Sequence, residues 1–269
     1  MKPTSLIALG PPNTGKSTLL ASIAEIVPVE RIKLVTLRAK ERDSWGYRHY
    51  GLDKEAEVII DVGWQPDLGM FKAEGYKHLL MTLVSLYKSE DYDAIILDPL
   101  TDAFDLASHA LLAQDQVATP KDLPGKNASL AYYGSIRKKS VQIVKDLTML
   151  TVGPHPKWVL TAVHTQPVAE ENIIDSKKKH SDSKAKGARY EGDVLPQMEG
   201  SYKYDMQGEF TMKLFTRVKT SPNNPPDYLV QVSADAQRFA GIGVGPSLTD
   251  KYLPNNLKQI IEAIERGEG

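Results

Sequence analysis

The sequence TSLIALGPPNTGKSTLLASIAEI, residues 4–26, decides the fold class of this 269-residue chain. It begins with a short apolar run, residues 4–9, of the kind that forms a strand buried on both faces of a parallel sheet. Residues 17–26 follow with apolar side chains at helical spacing. Between them, residues 10–17 match the pattern G-x-x-x-x-G-K-[ST]. The stretch therefore predicts a strand, a glycine-containing loop and a helix, in that order.

The loop has the composition of a phosphate-binding loop. Gly10 and Gly15 permit a tight wrap that turns backbone N–H groups toward phosphate oxygens, and the helix dipole reinforces them. Lys16 can reach the β and γ phosphates, and the Ser17 hydroxyl is placed for Mg²⁺. We predict that ATP with Mg²⁺ binds here; the alternative is a turn and helix cap with an exposed lysine. The predicted nucleotide contacts are Gly10, Pro11, Pro12, Asn13, Thr14, Gly15, Lys16, Ser17 and Thr18.

Strand and helix patterns alternate beyond the loop. The predicted strands are residues 31–37, 57–62, 93–98 and 158–163. The predicted helices are residues 76–87 and 135–150. This alternation predicts an α/β fold with a mostly parallel central sheet flanked by helices, because parallel strands need crossover connections.

The C-terminal third has a different pattern. Residues 209–218 and 228–233 resemble an antiparallel strand pair joined by the turn-rich residues 221–227, and residues 257–266 predict a final helix. The second half of residues 107–130 predicts an irregular excursion because it contains prolines and a glycine. We predict one domain over residues 1–269, with a core at about 4–220 and a C-terminal extension from about 221 to 269.

The composition is that of an ordinary globular protein, with 41% apolar and 25% charged residues and a net charge of −1. The absence of cysteine excludes disulfides, thiolate metal sites and cysteine nucleophiles, and favours a cytoplasmic location. No apolar stretch approaches the roughly 20 residues that a membrane-spanning helix needs. Any anionic partner must be bound by a local basic patch, since the overall charge gives no long-range attraction.

Polar residues end two of the predicted parallel strands. Asp98 ends residues 93–98, where a carboxylate can hold the Mg²⁺ of a P-loop enzyme. The next strand ends in His164-Thr165-Gln166, and a polar side chain there can contact the γ-phosphate or the attacking water. We favour Gln166 for this role over His164, which has a purely structural alternative at the sheet edge.

A candidate general base follows the second strand. Hydrolysis requires a group that orients water in line with the γ-phosphate. Glu41 lies just beyond residues 31–37 and is the first candidate, with Asp43 behind it. The alternative is a solvated charged turn, because the segment also contains Arg38, Lys40 and Arg42.

Taken together, these residues resemble the RecA-like ATPases, a group of P-loop NTPases. The likeness is closest to the compact phage-encoded branch described as AAA-type nucleotide-binding proteins, which includes single-strand annealing and recombination ATPases. Its specific parts are residues 10–17, 93–101, 159–166 and 195–200. The stretch Asp98-Pro99-Leu100-Thr101 resembles the family's D-S-[LI]-T element, with proline in the second position.

The resemblance implies roles and an assembly. Glu41 would match the activating glutamate, and Gln166 the polar sensor. The family also assembles into rings or filaments, with a basic residue of the neighbouring subunit completing the ATP site. Arg238 is the best match for that residue, with Arg217 and Lys219 as competitors and an arginine that only faces solvent as the alternative.

A basic segment, residues 177–189, stands where RecA-like proteins carry a DNA-binding loop. Such residues can pair with phosphates, although basic runs are most often solvated loops. The resemblance implies single-stranded DNA as a partner, and a recombination or single-strand-binding protein as a further one. The predicted nucleic-acid contacts are Lys177, Lys178, Lys179, Lys184, Lys186 and Arg189.

The sequence leaves three alternative functions open. The first is an ATPase acting in DNA recombination, single-strand annealing or replication. The second is a P-loop small-molecule kinase with residues 177–189 as a lid. The third is a nucleotide-binding structural or regulatory protein with little turnover. The basic segment favours the first over the kinase because lysine dominates it, whereas a kinase lid is expected to carry arginines.

Overall fold

The computed structural model of the chain describes residues 2–125, 128–167, 194–196, 206–221, 224–232, 241–242 and 252–266. The strands are β1 Ser5–Gly10, β2 Ile32–Thr36, β3 Glu57–Val58, β4 Gly63–Gln65, β5 Met70–Lys72, β6 Ala94–Asp98, β7 Trp158–Pro167, β8 Val194–Pro196, β9 Met212–Ser221, β10 Asn224–Gln231, β11 Gly241–Ile242 and β12 Tyr252–Pro254. The helices are α1 Lys16–Ala21, α2 Ala39–Arg42, α3 Trp45–Tyr50, α4 Gly75–Lys88, α5 Leu100–Asp115, α6 Ala128–Met149 and α7 Leu257–Arg266.

A large, mostly parallel sheet forms the centre of the α/β fold, as the sequence predicts. Its strand order is β12-β10-β9-β1-β7-β6-β2-β3, with β11 beside β9 and β8 beside β7. The strands from β9 to β3 in this order are parallel to their neighbours. At the other side, β10 pairs antiparallel with β9 and with β12. A separate two-stranded sheet contains β4 and β5.

Helices cover both faces of the sheet. Alternate residues of β1 face opposite sides, so that Leu6 and Ala8 belong to one apolar cluster and Ile7 and Leu9 to the other. The first cluster includes buried residues of α1, α3 and α7, and the second includes those of α4, α5 and α6. The fully buried strand β1 explains why residues 4–9 form an apolar run without alternation.

The register of the parallel strands brings their carboxyl ends to one edge. Gly10 of β1 lies opposite His164 of β7, and Thr36 of β2 lies opposite Asp98 of β6. Because β7 runs between β1 and β6, its tip lies between the loop after β1 and the carboxylate that ends β6. This edge is where an open α/β sheet binds ligands.

Several element boundaries differ from the sequence-based predictions. The predicted strand 57–62 is a strand only at Glu57–Val58, because the chain then turns outward, exposing Ile60, and Gly63 adopts a positive φ of 63° where β4 begins. The predicted helix 17–26 ends its α-helical part at Ala21 and continues as a 3₁₀ turn, Ser22–Glu25. Helix α5 was not predicted, although the residues after it, 116–125, are irregular as expected apart from one 3₁₀ turn.

The antiparallel pair in the C-terminal third is confirmed with a shorter connection. Strand β10 begins at Asn224, so that Pro225 and Pro226 lie inside the strand. The pairing register shifts between Asn224 and Asp227, and such an irregularity accommodates prolines that donate no backbone hydrogen bond. Helix α7 has the predicted bounds, with Leu257, Ile260, Ile261 and Ile264 buried at helical spacing.

Strands and the helix of the predicted C-terminal extension join the central sheet and one of its apolar clusters. The division of the chain into a core and an extension stays a prediction. Among the described residues, the structure contains no helix with the length and apolarity that crossing a membrane requires.

Candidate functional site

A cavity of about 1360 Å³ lies at the carboxyl edge of the central sheet. Its walls come from the loop after β1, from α2 and the start of α3, from the ends of β6 and β7, and from the start of α5. The C-terminal part of the chain closes it with residues of β10 and β12 and with Asn255 and Asn256. Segments distant in sequence therefore meet at the predicted phosphate loop.

The loop is held to the neighbouring strand β9 by threonine side chains. The Thr14 hydroxyl donates to the Pro11 carbonyl at 2.8 Å and lies 2.6 Å from the Thr216 hydroxyl. Thr216 in turn donates to the carbonyl of Leu9, at 3.2 Å. A Cβ atom on Gly10 would lie 2.3 Å from Thr216 Oγ1, so this close approach requires glycine.

Lys16 lies inside the curve of the loop. Its ammonium donates to the carbonyls of Gly10, at 2.9 Å, and Pro11, at 2.6 Å, and the side chain lines the cavity. Lys16 is only 5% exposed. Burial lowers its pKa to about 8, against the opposing effect of the Asp98 carboxylate. The loop therefore encloses a basic side chain at the cavity wall.

The structure brings together Ser17 and Asp98, the two predicted metal ligands. The Ser17 hydroxyl donates to Asp98 Oδ2 at 2.7 Å, across 81 residues of sequence. Asp98 is 3% exposed and ends β6, and Ser17 lies in the first turn of α1. A hydroxyl and a carboxylate are hard oxygen ligands of the kind that Mg²⁺ takes beside substrate phosphates. The residues present therefore fit a Mg²⁺ ion bound together with a nucleotide.

Tyr47 is a site residue that the sequence analysis missed. Its hydroxyl donates to Asp98 Oδ2 at 2.6 Å, and its ring is fully buried in α3. Burial raises the pKa of the phenol well above its ordinary value, and the Asp98 charge adds to this effect. Helix α3 approaches α1 so closely that a Cβ atom on Gly46 would lie 2.7 Å from the Thr18 Cα atom. Tyr47 of α3 thus helps to fix the Asp98 carboxylate, together with Ser17 of α1.

The structure brings Glu41, the first candidate for the general base, to the cavity wall. Glu41 Oε2 is buried and has no hydrogen-bond partner among the described residues. Burial raises the pKa of this carboxyl, and the nearby Asp102 and Asp98 charges add to the shift. Asp43, the second candidate, accepts a hydrogen bond from Arg42 at 2.9 Å, which lowers its pKa. The geometry favours Glu41, whose catalytic role stays a prediction.

Two further ionic groups lie near Glu41 on the cavity wall. Arg38 pairs with Asp102 at 2.9 Å, and the arginine side chain remains 63% exposed. Burial raises the pKa of Asp102, while the Arg38 charge opposes that shift. This wall therefore carries carboxyl groups whose ionised forms are destabilised by burial.

Of the two candidates at the tip of β7, the structure describes the side chain of His164 but only the backbone of Gln166. The His164 backbone N–H donates to the Thr101 hydroxyl at 3.0 Å, and the imidazole lines the cavity. His164 Nδ1 is buried without a partner among the described residues, and burial together with the Lys16 charge lowers the pKa of the ring. For Gln166 the structure gives the backbone only, which pairs with Leu195 of β8. Its predicted sensor role stays a prediction.

The remaining predicted residues are not among the described residues that line the cavity. Arg217 donates to the Tyr252 hydroxyl at 2.5 Å and stacks over that ring, and Lys219 is exposed on β9 opposite Asp227. Arg238 lies outside the described residues. So do the predicted nucleic-acid contacts Lys177, Lys178, Lys179, Lys184, Lys186 and Arg189.

The sequence also did not predict that the C-terminal part of the chain forms a wall of the cavity. Tyr228, Pro254 and Asn255 line the cavity, and the Asn255 amide donates to the Gly15 carbonyl at 2.9 Å. No motif signals this contact in the sequence, because it joins residues 240 positions apart.

A scan against protein-family models and a search of curated proteins found no match to this chain.

Proposed function

We propose that this protein binds ATP together with Mg²⁺ in the cavity and hydrolyses it. The observation that carries the proposal is the meeting of Lys16, Ser17 and Asp98 at one edge of the sheet. A buried ammonium inside a glycine-containing loop suits a polyphosphate, and the adjacent hydroxyl and carboxylate suit its Mg²⁺ ion. Lys16 and Ser17 come from positions that the phosphate-loop pattern requires, and Asp98 comes from the end of β6.

The residues of the chain have separate tasks in this proposal. Lys16 and the backbone N–H groups of the loop neutralise the phosphate oxygens, and Ser17 and Asp98 hold the metal. Tyr47 keeps the Asp98 carboxylate in place through its buried hydrogen bond. When bound, Mg²⁺ supplies positive charge that offsets charge developing on the phosphate oxygens.

Glu41 is the group that we assign to the attacking water. Its raised pKa makes the carboxylate a better proton acceptor than an exposed glutamate. His164, whose pKa is lowered, would contact the γ-phosphate as a neutral imidazole. In this role it replaces or assists Gln166, the sensor that the family resemblance implies.

The wider proposal is that the protein is a RecA-like ATPase acting in DNA recombination, single-strand annealing or replication. Support comes from the motif resemblance at residues 10–17, 93–101 and 159–166, and from the basic segment 177–189. In such a protein single-stranded DNA would contact that segment. A second copy of the chain would supply a basic residue, with Arg238 as first candidate, to complete the ATP site.

Phosphate release from ATP in the presence of Mg²⁺ tests the first part of the proposal. We expect wild-type protein to release phosphate and Lys16→Ala to lose at least about 100-fold of the rate, because phosphoryl transfer depends on charge stabilisation. Lys145→Ala is the control, since Lys145 is exposed on α6 away from the cavity. Equal rates for wild type and Lys16→Ala would contradict the proposed activity.

Single-stranded DNA tests the second part. We expect DNA to stimulate hydrolysis by the wild type, and a variant with Lys177, Lys178 and Lys179 changed to alanine to lose this stimulation. Binding to DNA should weaken as salt rises, because phosphate contacts release counterions. If DNA neither binds at low salt nor changes the rate, the protein is an ATPase without the proposed DNA role.

A further inference from the structure

The cavity is larger than a phosphate site requires. Its volume of about 1360 Å³ exceeds the roughly 300–1,000 Å³ of common small-molecule sites. Part of the wall away from Lys16, Ser17 and Asp98 is contributed by Tyr228 of β10, Pro254 of β12 and Asn255. Tyr228 is 46% exposed, so part of this aromatic side chain is accessible to a ligand in the cavity.

This C-terminal wall is fixed directly to the phosphate loop. The Asn255 amide donates to the Gly15 carbonyl at 2.9 Å, and the Asn255 backbone N–H donates to the Tyr228 carbonyl at 3.3 Å. Strands β10 and β12 pair antiparallel, with Leu229 opposite Pro254. A Cβ atom on Gly15 would lie 3.0 Å from Tyr228 Cδ1, so the loop and the tyrosine ring are in close contact.

Contacts at the start of α7 fix the same wall to the 3₁₀ turn that follows α1. The backbone N–H of Leu257 donates to the buried Ser22 hydroxyl at 2.8 Å, and Asn256 donates to Glu25 at 2.7 Å. The wall is therefore held in a set position relative to the loop before any ligand binds. Preorganisation of this kind favours binding, because less side-chain freedom is lost.

We propose that Tyr228, Pro254 and Asn255 form the base-binding subsite of the nucleotide site and that its ligand is adenine. The inference rests on the proposed function, since the base belongs to the nucleotide whose phosphates the loop holds. A planar base stacks on an exposed aromatic ring, and the proline ring adds apolar surface. The subsite adjoins Gly15, at the end of the loop where α1 begins.

Asn255 selects the base. Its amide nitrogen is engaged by the Gly15 carbonyl, which fixes the orientation of the side chain. Its Oδ1 atom is buried and has no hydrogen-bond partner among the described residues. A buried acceptor without a partner is costly, and a ligand N–H group relieves that cost. The N6 amino group of adenine is such a donor, whereas hypoxanthine carries an acceptor oxygen at the same position.

Calorimetric titration with two ligands, ATP and inorganic tripolyphosphate, tests the subsite in the presence of Mg²⁺. We expect Tyr228→Ala to weaken ATP binding about tenfold or more, because a lost base–aromatic stack has this magnitude. Tripolyphosphate binding should stay unchanged, since this ligand has no base. Tyr228→Phe keeps the ring and should retain ATP affinity, and Tyr133→Ala removes a 42% exposed tyrosine of α6 as a matched control.

The results that would contradict these expectations can be told apart. Unchanged ATP affinity in Tyr228→Ala overturns the subsite. An equal loss for ATP and tripolyphosphate also overturns it, because Tyr228 would then support the loop and not a base. Wild-type protein that binds neither ligand contradicts the proposed function itself. Inosine triphosphate completes the test: wild type should bind it several-fold more weakly than ATP, and equal affinities would overturn the role of Asn255.

Discussion

Two sides of one cavity differ in how their polar groups are satisfied. On the phosphate-loop side, formed by residues 10–18, Tyr47 and Asp98, the side chains of Lys16, Ser17 and Tyr47 donate hydrogen bonds to partners within the site. On the acidic side, formed by Arg38, Glu41, Asp102 and His164, two buried atoms, Glu41 Oε2 and His164 Nδ1, lack a partner among the described residues.

In the proposed function, this difference assigns nucleotide binding to the phosphate-loop side and turnover to the acidic side. A buried polar atom without a partner costs about 1–3 kcal/mol, so folding alone does not favour the arrangement of the acidic side. The phosphate-loop side is complete as folded and is suited to hold a ligand. The acidic side retains groups with shifted pKa values, and such groups concentrate where proton transfer is needed.

The largest effect that separates the two sides is expected for Glu41→Gln. The amide keeps the size of the side chain and cannot accept a proton from water, so the hydrolysis rate should fall about 100-fold or more. ATP affinity should stay within about threefold of wild type, because the phosphate-loop side is untouched. Steady-state phosphate release and calorimetric titration measure the two quantities.

Asp43→Asn is the matched control for this variant. Asp43 is close in sequence and pairs with Arg42, so its loss should leave both the rate and the affinity near those of wild type. If Glu41→Gln lowers ATP affinity as much as it lowers the rate, the acidic side also binds the nucleotide and the comparison fails.

The pH dependence of hydrolysis sharpens the assignment. In the proposed mechanism Glu41 acts as a base only when ionised, and burial raises its pKa. The rate should therefore fall about tenfold per pH unit on the acid side, starting at a higher pH than an exposed glutamate would give. The residual activity of Glu41→Gln should lack this acid limb. Loss of activity only at the pH of an ordinary carboxyl group would argue against Glu41.

Tyr47→Phe tests the phosphate-loop side. The variant removes a buried hydrogen bond to the Asp98 carboxylate, and such a bond to a charged group contributes about 1.5–3 kcal/mol. We expect a decrease of that size in the free energy of unfolding, measured with urea. A variant as stable as wild type would show that Ser17 alone positions Asp98.

The contact between α3 and α1 gives a smaller and more local effect. Gly46→Ala places a Cβ atom 2.7 Å from the Thr18 Cα atom, so the two helices must separate. The expected cost in unfolding free energy is about 1–3 kcal/mol. Gly134→Ala is the contrasting control: this exposed glycine of α6 has open space at its Cβ position, and alanine should stabilise the helix by about 0.5–1 kcal/mol.

The parts of the fold that sequence reasoning predicted are those with local signals. Strand β1, the loop, helix α4 and helix α7 follow from runs or periodicities within a few residues. Helix α5 was missed, and its apolar and polar positions are mixed around the helix. The length of β3 depends on where the chain turns away from the sheet, and neighbouring residues do not encode this.

In the candidate site, too, the predicted residues are those with a local sequence signal, and the missed ones depend on long-range contacts. Lys16, Ser17 and Asp98 were predicted, because a loop pattern and a strand-end carboxylate are visible in the sequence. Tyr47 was missed because its role depends on a contact with Asp98 across 51 positions. The C-terminal wall depends on contacts across 240 positions, for which a single sequence gives no signal.

Calorimetric titration of ATP with and without Mg²⁺ tests the central claim that Lys16, Ser17 and Asp98 hold a nucleotide and its metal. Wild-type protein should bind ATP, and replacing Mg²⁺ with EDTA should weaken binding about tenfold or more. Asp98→Asn should bind ATP with little difference between the two conditions. Absence of binding, or a wild-type affinity that Mg²⁺ does not change, would contradict the claim.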